Sequence, residues 1–508
     1  MKNNKTREAE PLRRLKLGVL VLALGLSACA DMSGVAPAQS SMRDPASLGL
    51  STGSAAAPAV SAQWWLEFGD AQLDQLIAQA LASNPSLKLA QARLARAQAM
   101  AGVVRAATLP QVGGAMNLNR QKFSGNYIYP PPLGGAIYNS GDAQLNASWE
   151  LDFFGKNRAA LDAAIGTAKA AEADAQAARV LLASQVTRSY FQLARLNDQL
   201  AVGRRTLAQR EETLAIVHDR FSAGLDTKLE LRESEGGLPD ARQQIEALQE
   251  QIALTRNALG ALVGQPNAAQ AHTAPSLSAI KGIASAPVIP ADLLGRRADI
   301  VAARWRVEAS TKDVASAKAQ FYPNINLAAF AGFSSLGFGQ LFRSGSEQWN
   351  VGPALTLPIF EGGRLRANLR GKAADQDAAV ESYNAAVIDA VRDVADQVAS
   401  SQSIVRQQTE QRAAQAAAEG AYEIAVQRYK AGLGNYLNVL TAETSVLGQR
   451  RLAVDLSARA LDTQVALIRA LGGGYQADAV AQSSAGYQTG AVTQPGAGQV
   501  AGTTTAQK

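Results

Sequence analysis

The sequence predicts a mainly α-helical protein with a small β section, made of two internal structural repeats built on long helices of the coiled-coil type. Three observations carry that expectation. Apolar residues recur at heptad-like spacing through Asn157–Phe221 and again through Arg364–Tyr429, with no convincing break in either run. Both runs end in the same kind of turn, Arg220-Phe221-Ser222-Ala223-Gly224-Leu225 and Arg428-Tyr429-Lys430-Ala431-Gly432-Leu433, where glycine takes positive φ without strain. Ahead of each run lie short stretches of alternating apolar and polar residues, as in half-buried strands.

Composition agrees. The chain has 508 residues with only 6% aromatics and abundant alanine, which suits close-packed helices better than one large globular core. The formal charge of +6 is concentrated at the start: residues 1–28 hold six Lys/Arg against two Asp/Glu, leaving +2 on the rest. No Lys/Arg cluster interleaved with aromatics remains, so no nucleic-acid partner is expected. The basic residues Lys2 to Lys16 precede the apolar core Leu17–Leu26, too short to span a bilayer as a mature helix, and Leu26-Ser27-Ala28-Cys29 follows. Cys29 is the only cysteine, which excludes an intrachain disulfide. Residues 1–28 resemble a bacterial lipoprotein signal peptide. That resemblance implies cleavage leaving Cys29 as the lipid-bearing first residue, and Ala30 rather than Asp beside it favours the outer membrane.

The elements follow in order. Residues 29–62, rich in Ala, Ser, Pro and Gly, read as a lipid-anchored flexible tether. The first repeat, 63–264, opens with Leu66, Phe68, Leu73, Leu76, Ile77 and Leu81 on one amphipathic helix, punctuated at Ser83-Asn84-Pro85. A second helix, Ser86–Thr108, carries Leu87, Leu89, Leu94 and Val103 and stops before Pro110. Strands are expected at Val112–Gln121 and Gln144–Asp152, with Lys122–Asp142 a loop. The long helix Asn157–Phe221 has Val186, Leu193, Leu200, Leu207, Leu214 and Phe221 along its seam, and its return helix runs to Val263 with a kink expected at Gly236-Gly237-Leu238-Pro239. After a connector at 265–290, the second repeat, 291–474, repeats the plan. Its helix is Asp292–Phe321, and its strands hold Ile325–Phe333 and Trp349–Ile359. The long helix Arg364–Tyr429 has Val380, Val387, Val391, Val394, Val398 and Val405 in its seam, and the return helix is Tyr436–Leu471. Residues 475–508 read as a disordered tail.

Lengths constrain how these parts assemble. Each long helix spans roughly 100 Å, and each return helix about 55 Å, so a return helix abutting a short helix end to end matches one long helix. Four strands per chain cannot close a barrel, because open edges in lipid leave backbone groups unpaired; a trimer would supply twelve strands. The periodicity by itself fits a half-buried sandwich as well as a membrane barrel.

Together these features resemble the TolC-like outer-membrane factors, in the efflux lipoprotein (NodT/OprM-like) branch. The resemblance covers Trp64–Tyr475. It rests on the duplicated element order, on Leu357-Pro358-Ile359-Phe360-Glu361-Gly362-Gly363-Arg364, on the Arg428-to-Gly432 turn, and on Ala470-Leu471-Gly472-Gly473-Gly474. It implies a homotrimer with a transmembrane β-barrel completed by trimerisation and a helical coiled-coil barrel extending into the periplasm. It also implies passive export of small molecules or drugs, with a periplasmic membrane-fusion adaptor and an inner-membrane pump, most naturally of the RND type, as partners. A type I protein-secretion duct, or a non-conducting periplasm-spanning lipoprotein, are the alternative readings. The residues matching the periplasmic gate are Arg428, Tyr429, Leu437 and Thr441, where relatives usually place an acid at the position of Thr441. Those matching adaptor-docking tips are Ala223, Gly224 and Leu225 with Ala431, Gly432 and Leu433. Trp149 and Trp349 are expected at the membrane interface. Chemistry is not expected. His218 and His272 are the only histidines and lack metal-ligand spacing, and neither a nucleophile arrangement nor a Walker-type loop is present, so no cofactor is implied.

Overall fold

The computed structural model describes residues 32, 34–43, 61–267, 273, 275–283 and 293–475. The expected signal peptide, Cys29, most of the expected tether, His272 and the expected disordered tail beyond Tyr475 lie outside the described residues. Helices α1 (Ala71–Ser83) and α2 (Pro85–Ala106) lead to strands β1 (Gln111–Lys122) and β2 (Ile137–Leu151), then α3 (Lys156–Ser222) and α4 (Lys228–Val263). The second repeat has α5 (Ala298–Ala319), β3 (Asn324–Leu336), β4 (Glu347–Thr356), α6 (Arg364–Lys430) and α7 (Tyr436–Ala470). At 67 residues each, α3 and α6 extend about 100 Å.

The short helices do abut the return helices. At the end of α4 the carbonyls of Leu262 and Val263 lack helical donors, and Asn84 Nδ2 and Ser83 Oγ supply them at 2.7 and 2.5 Å. Asn84 also accepts from Ser86 N–H at 2.8 Å, capping α2, so one residue finishes one helix and starts the next. In the second repeat, two residues past the end of α7, Gly472 has a φ of +79° and its missing Cβ would stand 2.3 Å from the carbonyl oxygen of Arg296. Glycine is required there for both reasons.

The main core lies where these junctions meet, midway along the rod. Trp64, Trp65 and Phe68 pack with Leu73, Leu76 and Ile77 against Tyr190 and Phe191 of α3, Val263, and Val465 of α7. Phe68 meets Phe191 edge-on at 5.0 Å. Tyr190 donates its hydroxyl to Asp70 at 2.7 Å, while Asp70 caps α1. Along the antiparallel pair α3 and α7, ion pairs step at heptad intervals: Arg188 with Asp462 at 2.5 Å and Arg195 with Asp455 at 3.0 Å.

The four strands form one antiparallel sheet in the order β1-β2-β3-β4, so the β2–β3 pairing joins the repeats.

Several expectations need correction. Leu66 is 48% exposed, because Trp64–Phe68 is a separate 3₁₀ turn ended by Gly69 in the left-handed region. Leu89 and Val103 of α2 are also exposed. Strand β2 begins at Ile137, well inside the expected loop, since pairing with β1 carries Ser140, Gly141 and Asp142 through a stretch without apolar alternation. Strand β4 stops at Thr356, short of Leu357 and Ile359, because Pro358 has no N–H for the ladder. The expected helix from Asp292 is interrupted: a single turn, Leu293–Arg296, precedes α5. Val405 is exposed and Ile404 takes its place in the core. In α3 the seam keeps Val186, Leu193 and Leu200 buried, but below them Gly203, Thr206, Thr213 and Val217 replace Leu207, Leu214 and Phe221. Helix α4 continues through Pro239.

The expected tether is docked over part of its length. Gln39 and Ser40 donate their amides to Asp377 Oδ1, both at 2.8 Å, and Asn384 clamps Arg43 N–H and Ser41 C=O at 2.9 and 3.1 Å. Met32 and Val35 pack beside Phe321 and Leu365, at the sheet end of α5 and α6.

Replacing Gly472 with Val should lower stability by about 2 kcal/mol or more, through positive φ and the Arg296 carbonyl. Gly102→Ala, in open space within α2, should instead be neutral or stabilising by up to about 1 kcal/mol. Denaturant midpoints of the purified proteins check both.

Candidate functional site

Strand register sorts the sheet into two unlike faces. Partners across all four strands share a face, so Val112, Ala147, Ala329 and Val351 form one row, and Leu151, Ile325 and Leu355 another. Every row of this face from Ile325 to Phe333 is apolar but for Glu347 at the outer end, and its large side chains are mostly exposed: Val112, Met116, Leu145, Val351 and Leu355. The opposite face carries Gln111, Asn117, Gln144, Asn146, Ser148, Asn326, Gln348 and Asn350. From Ile325 to the row of Leu118 is ten positions, about 33 Å along a strand. Tilted as transmembrane strands are, that is close to an apolar band of about 25 Å. Strands β1 and β4 each have one neighbour, leaving both edges of the sheet open.

Trp149 and Trp349 both stand on the apolar face, but not at one level. Trp149 pairs with Leu327 near the helical end, and its indole N–H donates to Thr108 O at 3.1 Å. Trp349 pairs with Ala331, four positions further along β3, or about 13 Å.

At the far end of the rod the two turns are built alike. Gly224 and Gly432 have φ of +76° and +75°. Leu225 and Leu433 return their amides to the carbonyls of Arg220 and Arg428 at 2.9 and 2.8 Å. Leu225, Leu433 and Leu437 project outward at 63–69% exposure, as an apolar tip surface. Ala223 and Ala431 are exposed beside them.

The two arginines behave differently. Arg428 turns back on its own turn, reaching Leu433 O at 3.3 Å, and remains exposed. Arg220 lies inside, gripping Asp226 with two hydrogen bonds of 3.0 and 3.2 Å. It donates a third to Tyr429 O at 3.1 Å, and its guanidinium carbon stands 4.6 Å from the Tyr429 ring centroid. The Tyr429 hydroxyl in turn donates to Asp226. Tyr429 is only 1% exposed, so it links the two hairpins within the chain. Burial pushes the Asp226 carboxyl up, but the Arg220 and Tyr429 hydrogen bonds outweigh it and hold the group below the usual carboxylate range. Burial and the bond to Asp226 push the Tyr429 phenol upward.

One turn further into the rod, Leu437 and Thr441 share an exposed face of α7, where Thr441 Oγ1 donates to Leu437 O at 2.9 Å. Glu443 points the other way. It is buried and paired with Arg210 at 2.8 Å, while Arg210 also reaches Asp240 Oδ2 and Gly237 O. The Gly236–Pro239 segment thus supplies a carbonyl that ties α3, α4 and α7 together. Arg450 makes a similar three-helix contact, with Glu419 at 3.0 Å and Gln209 at 2.9 Å. No group of metal-ligating side chains occurs among the described residues.

Sequence reasoning missed Arg220–Asp226–Tyr429 as a unit, although a signal was present. The two turn motifs align residue for residue, yet Asp226 in the first stands where the second has Gly434. The Arg210–Glu443 pair left no local signal, because its partners are far apart in the chain.

Comparison with known proteins adds a family. The family model for outer membrane efflux proteins matches residues 76–265 and 289–473. The fusaric acid resistance protein FusA of Burkholderia cepacia is 40% identical over 371 residues, covering 70% of this chain and 68% of that one. Outer membrane protein OprJ of Pseudomonas aeruginosa is 34% identical over 477 residues, covering 91% of this chain and 97% of that one. The crystal structure of the outer membrane protein VceC from Vibrio cholerae is similar with a TM-score of 0.78 and 38% identity, covering 82% of this chain and 100% of that one.

The tip contact should depend on pH with a definite sign. Because the folded Asp226 value lies below the unfolded one, its stabilisation is fully present above the ordinary carboxylate range and is lost as pH falls through the folded value. Hydrogen exchange, corrected for intrinsic rates, should show protected tip amides near Arg220 and Tyr429 at neutral pH and lost protection in acid. Asp226→Asn should be unprotected at both; protection unaffected by that substitution would contradict the contact.

Proposed function

Since this chain belongs to the outer membrane efflux protein family, we propose that it is the outer-membrane channel of a tripartite efflux system. It exports small molecules or drugs passively, a reading supported by the names of two relatives, the fusaric acid resistance protein FusA and the multidrug resistance outer membrane protein MdtQ of Escherichia coli. The single observation that carries this reading is the sheet: a tall apolar face, a polar reverse face, and two open edges. In lipid an open strand edge leaves backbone groups unpaired at several kcal/mol each, so such a sheet must be completed by other copies. Three copies give twelve strands, with the polar faces lining the lumen. The exposed stripe of Leu89, Met100 and Val103 on α2 supplies a further surface for a neighbouring copy. A purely structural coiled-coil lipoprotein would have no use for these strands.

The remaining assignments follow the same frame. Cys29 carries the lipid. Met32, three residues further along the chain, packs at the level at which helices give way to strands, the level the membrane surface would take. Trp149 marks the periplasmic side of the membrane, and Trp349 lies within the band. The exposed Leu225, Leu433 and Gly224/Gly432 tips dock a periplasmic membrane-fusion adaptor, which connects to an inner-membrane pump of the RND type. Arg428, Leu437 and Thr441 form the gate, with Tyr429 as its anchor to the first hairpin. Thr441 brings no charge and Glu443 is committed to Arg210, so closure relies on Arg428 and packing rather than on an acidic ring.

Reconstitution into planar bilayers tests the proposal: the purified protein should conduct ions, and a folded assembly without conductance would contradict it. Arg428→Ala should raise conductance by loosening the closed end, whereas unchanged conductance would remove Arg428 from the gate.

A further inference from the structure

We infer, on the basis of the barrel reading above, that the outer part of the lumen is a cation-preferring passage whose sign is set by Asp142. Across the registered rows of all four strands the polar face carries two carboxylates, Asp142 and Glu150, and no Lys or Arg. Glu150, at the helical end, is matched by Lys156 at 2.5 Å. Among the described residues Asp142 has no such basic partner. It sits between Asn117 and Ser334 in the same row, and Ser334 Oγ donates to its Oδ1 at 2.6 Å, fixing the carboxylate without neutralising it. The basic residues of the strands, Arg120 and Lys122, have the parity of Met116 and Leu118 and so belong to the opposite face.

In a closed barrel the three Asp142 side chains stand at one level, eight positions, or about 26 Å along the strand, from the Glu150–Lys156 pairs. The lining between is Gln, Asn, Ser and small residues with Phe330, which carry dipoles but no net charge. Asp142 therefore supplies the net fixed charge of the strand-lined passage. Its reach is the screening length: about 30 Å at 0.01 M salt but only about 3 Å at 1 M. Cations are enriched in dilute salt, and the preference fades as salt rises. Cationic solutes would gain most at this level, in place of a specific binding pocket.

Reversal potentials across a KCl gradient in planar bilayers test this, with trimer retention checked for each variant. The wild type should prefer K⁺ in dilute salt, and Asp142→Asn should lower the cation-to-anion permeability ratio at least two-fold, with the difference vanishing near 1 M. Asn146→Lys, on the same face, should lower the ratio too and serves if Asp142→Asn does not assemble. Ser334→Ala should leave the sign of selectivity unchanged. A conducting Asp142→Asn or Asn146→Lys channel with the wild-type ratio overturns the inference while leaving the channel reading intact. A wild type that assembles but does not conduct removes both.

Discussion

The unpaired edges of β1 and β4 are the constraint from which the rest of this structure follows. A strand edge in water can be solvated or blunted by charge. One whose outward face is apolar over some ten residue positions but for Glu347 and Ser335 has no such exit in lipid. The chain therefore carries an unfinished barrel, and its helical part must hold neighbouring copies at the spacing that lets the edges meet. The end-to-end junctions at Ser83-Asn84 and at Gly472 answer that demand. They let two shorter helices run alongside one long helix, so the rod keeps a regular packing over its length while the chain reverses twice.

Below the mid-rod core, charge pairs join apolar burial, which continues at the tip in the cluster of Val217, Tyr429, Tyr436 and Val439. The mid-rod core is apolar and rich in aromatics, built on Trp64, Phe68, Tyr190 and Phe191. Further down, the seam of α3 turns to Gly203, Thr206 and Thr213, and Arg210, Arg450 and Arg220 each tie several helices. Ion pairs with hydrogen bonds on every arm are directional, unlike apolar contacts, and they can be exchanged for other acceptors. A region that must hold two hairpins together yet allow a passage to open suits such contacts beside the small apolar cluster at the tip. The contrast between Arg220, committed inward to Asp226, and Arg428, left exposed, divides the tip into an internal tie and an outward-facing group.

Much of this was legible in the sequence, and the omissions have physical causes. The long helices were readable almost to the residue because alanine-rich heptads persist and each ends in a glycine turn. Strand β2 was half missed because Ser140, Gly141 and Asp142 take strand form through pairing with β1, a long-range effect that local alternation does not report. The docking of residues 34–43 was unreadable, since it rests on side chains of α6, Asp377 and Asn384, bonding to a polar backbone. At the site, Gly224 and Gly432 were evident from turn chemistry. Asp226 was overlooked although its replacement by glycine in the second turn distinguishes the two.

The central claim is that one chain supplies a third of a membrane barrel. Light scattering with the protein in mild detergent, corrected for bound detergent, measures it most directly. A mass of three chains is the predicted result; a stable, folded monomer would contradict the account, because its sheet edges would then have to be satisfied in some other way.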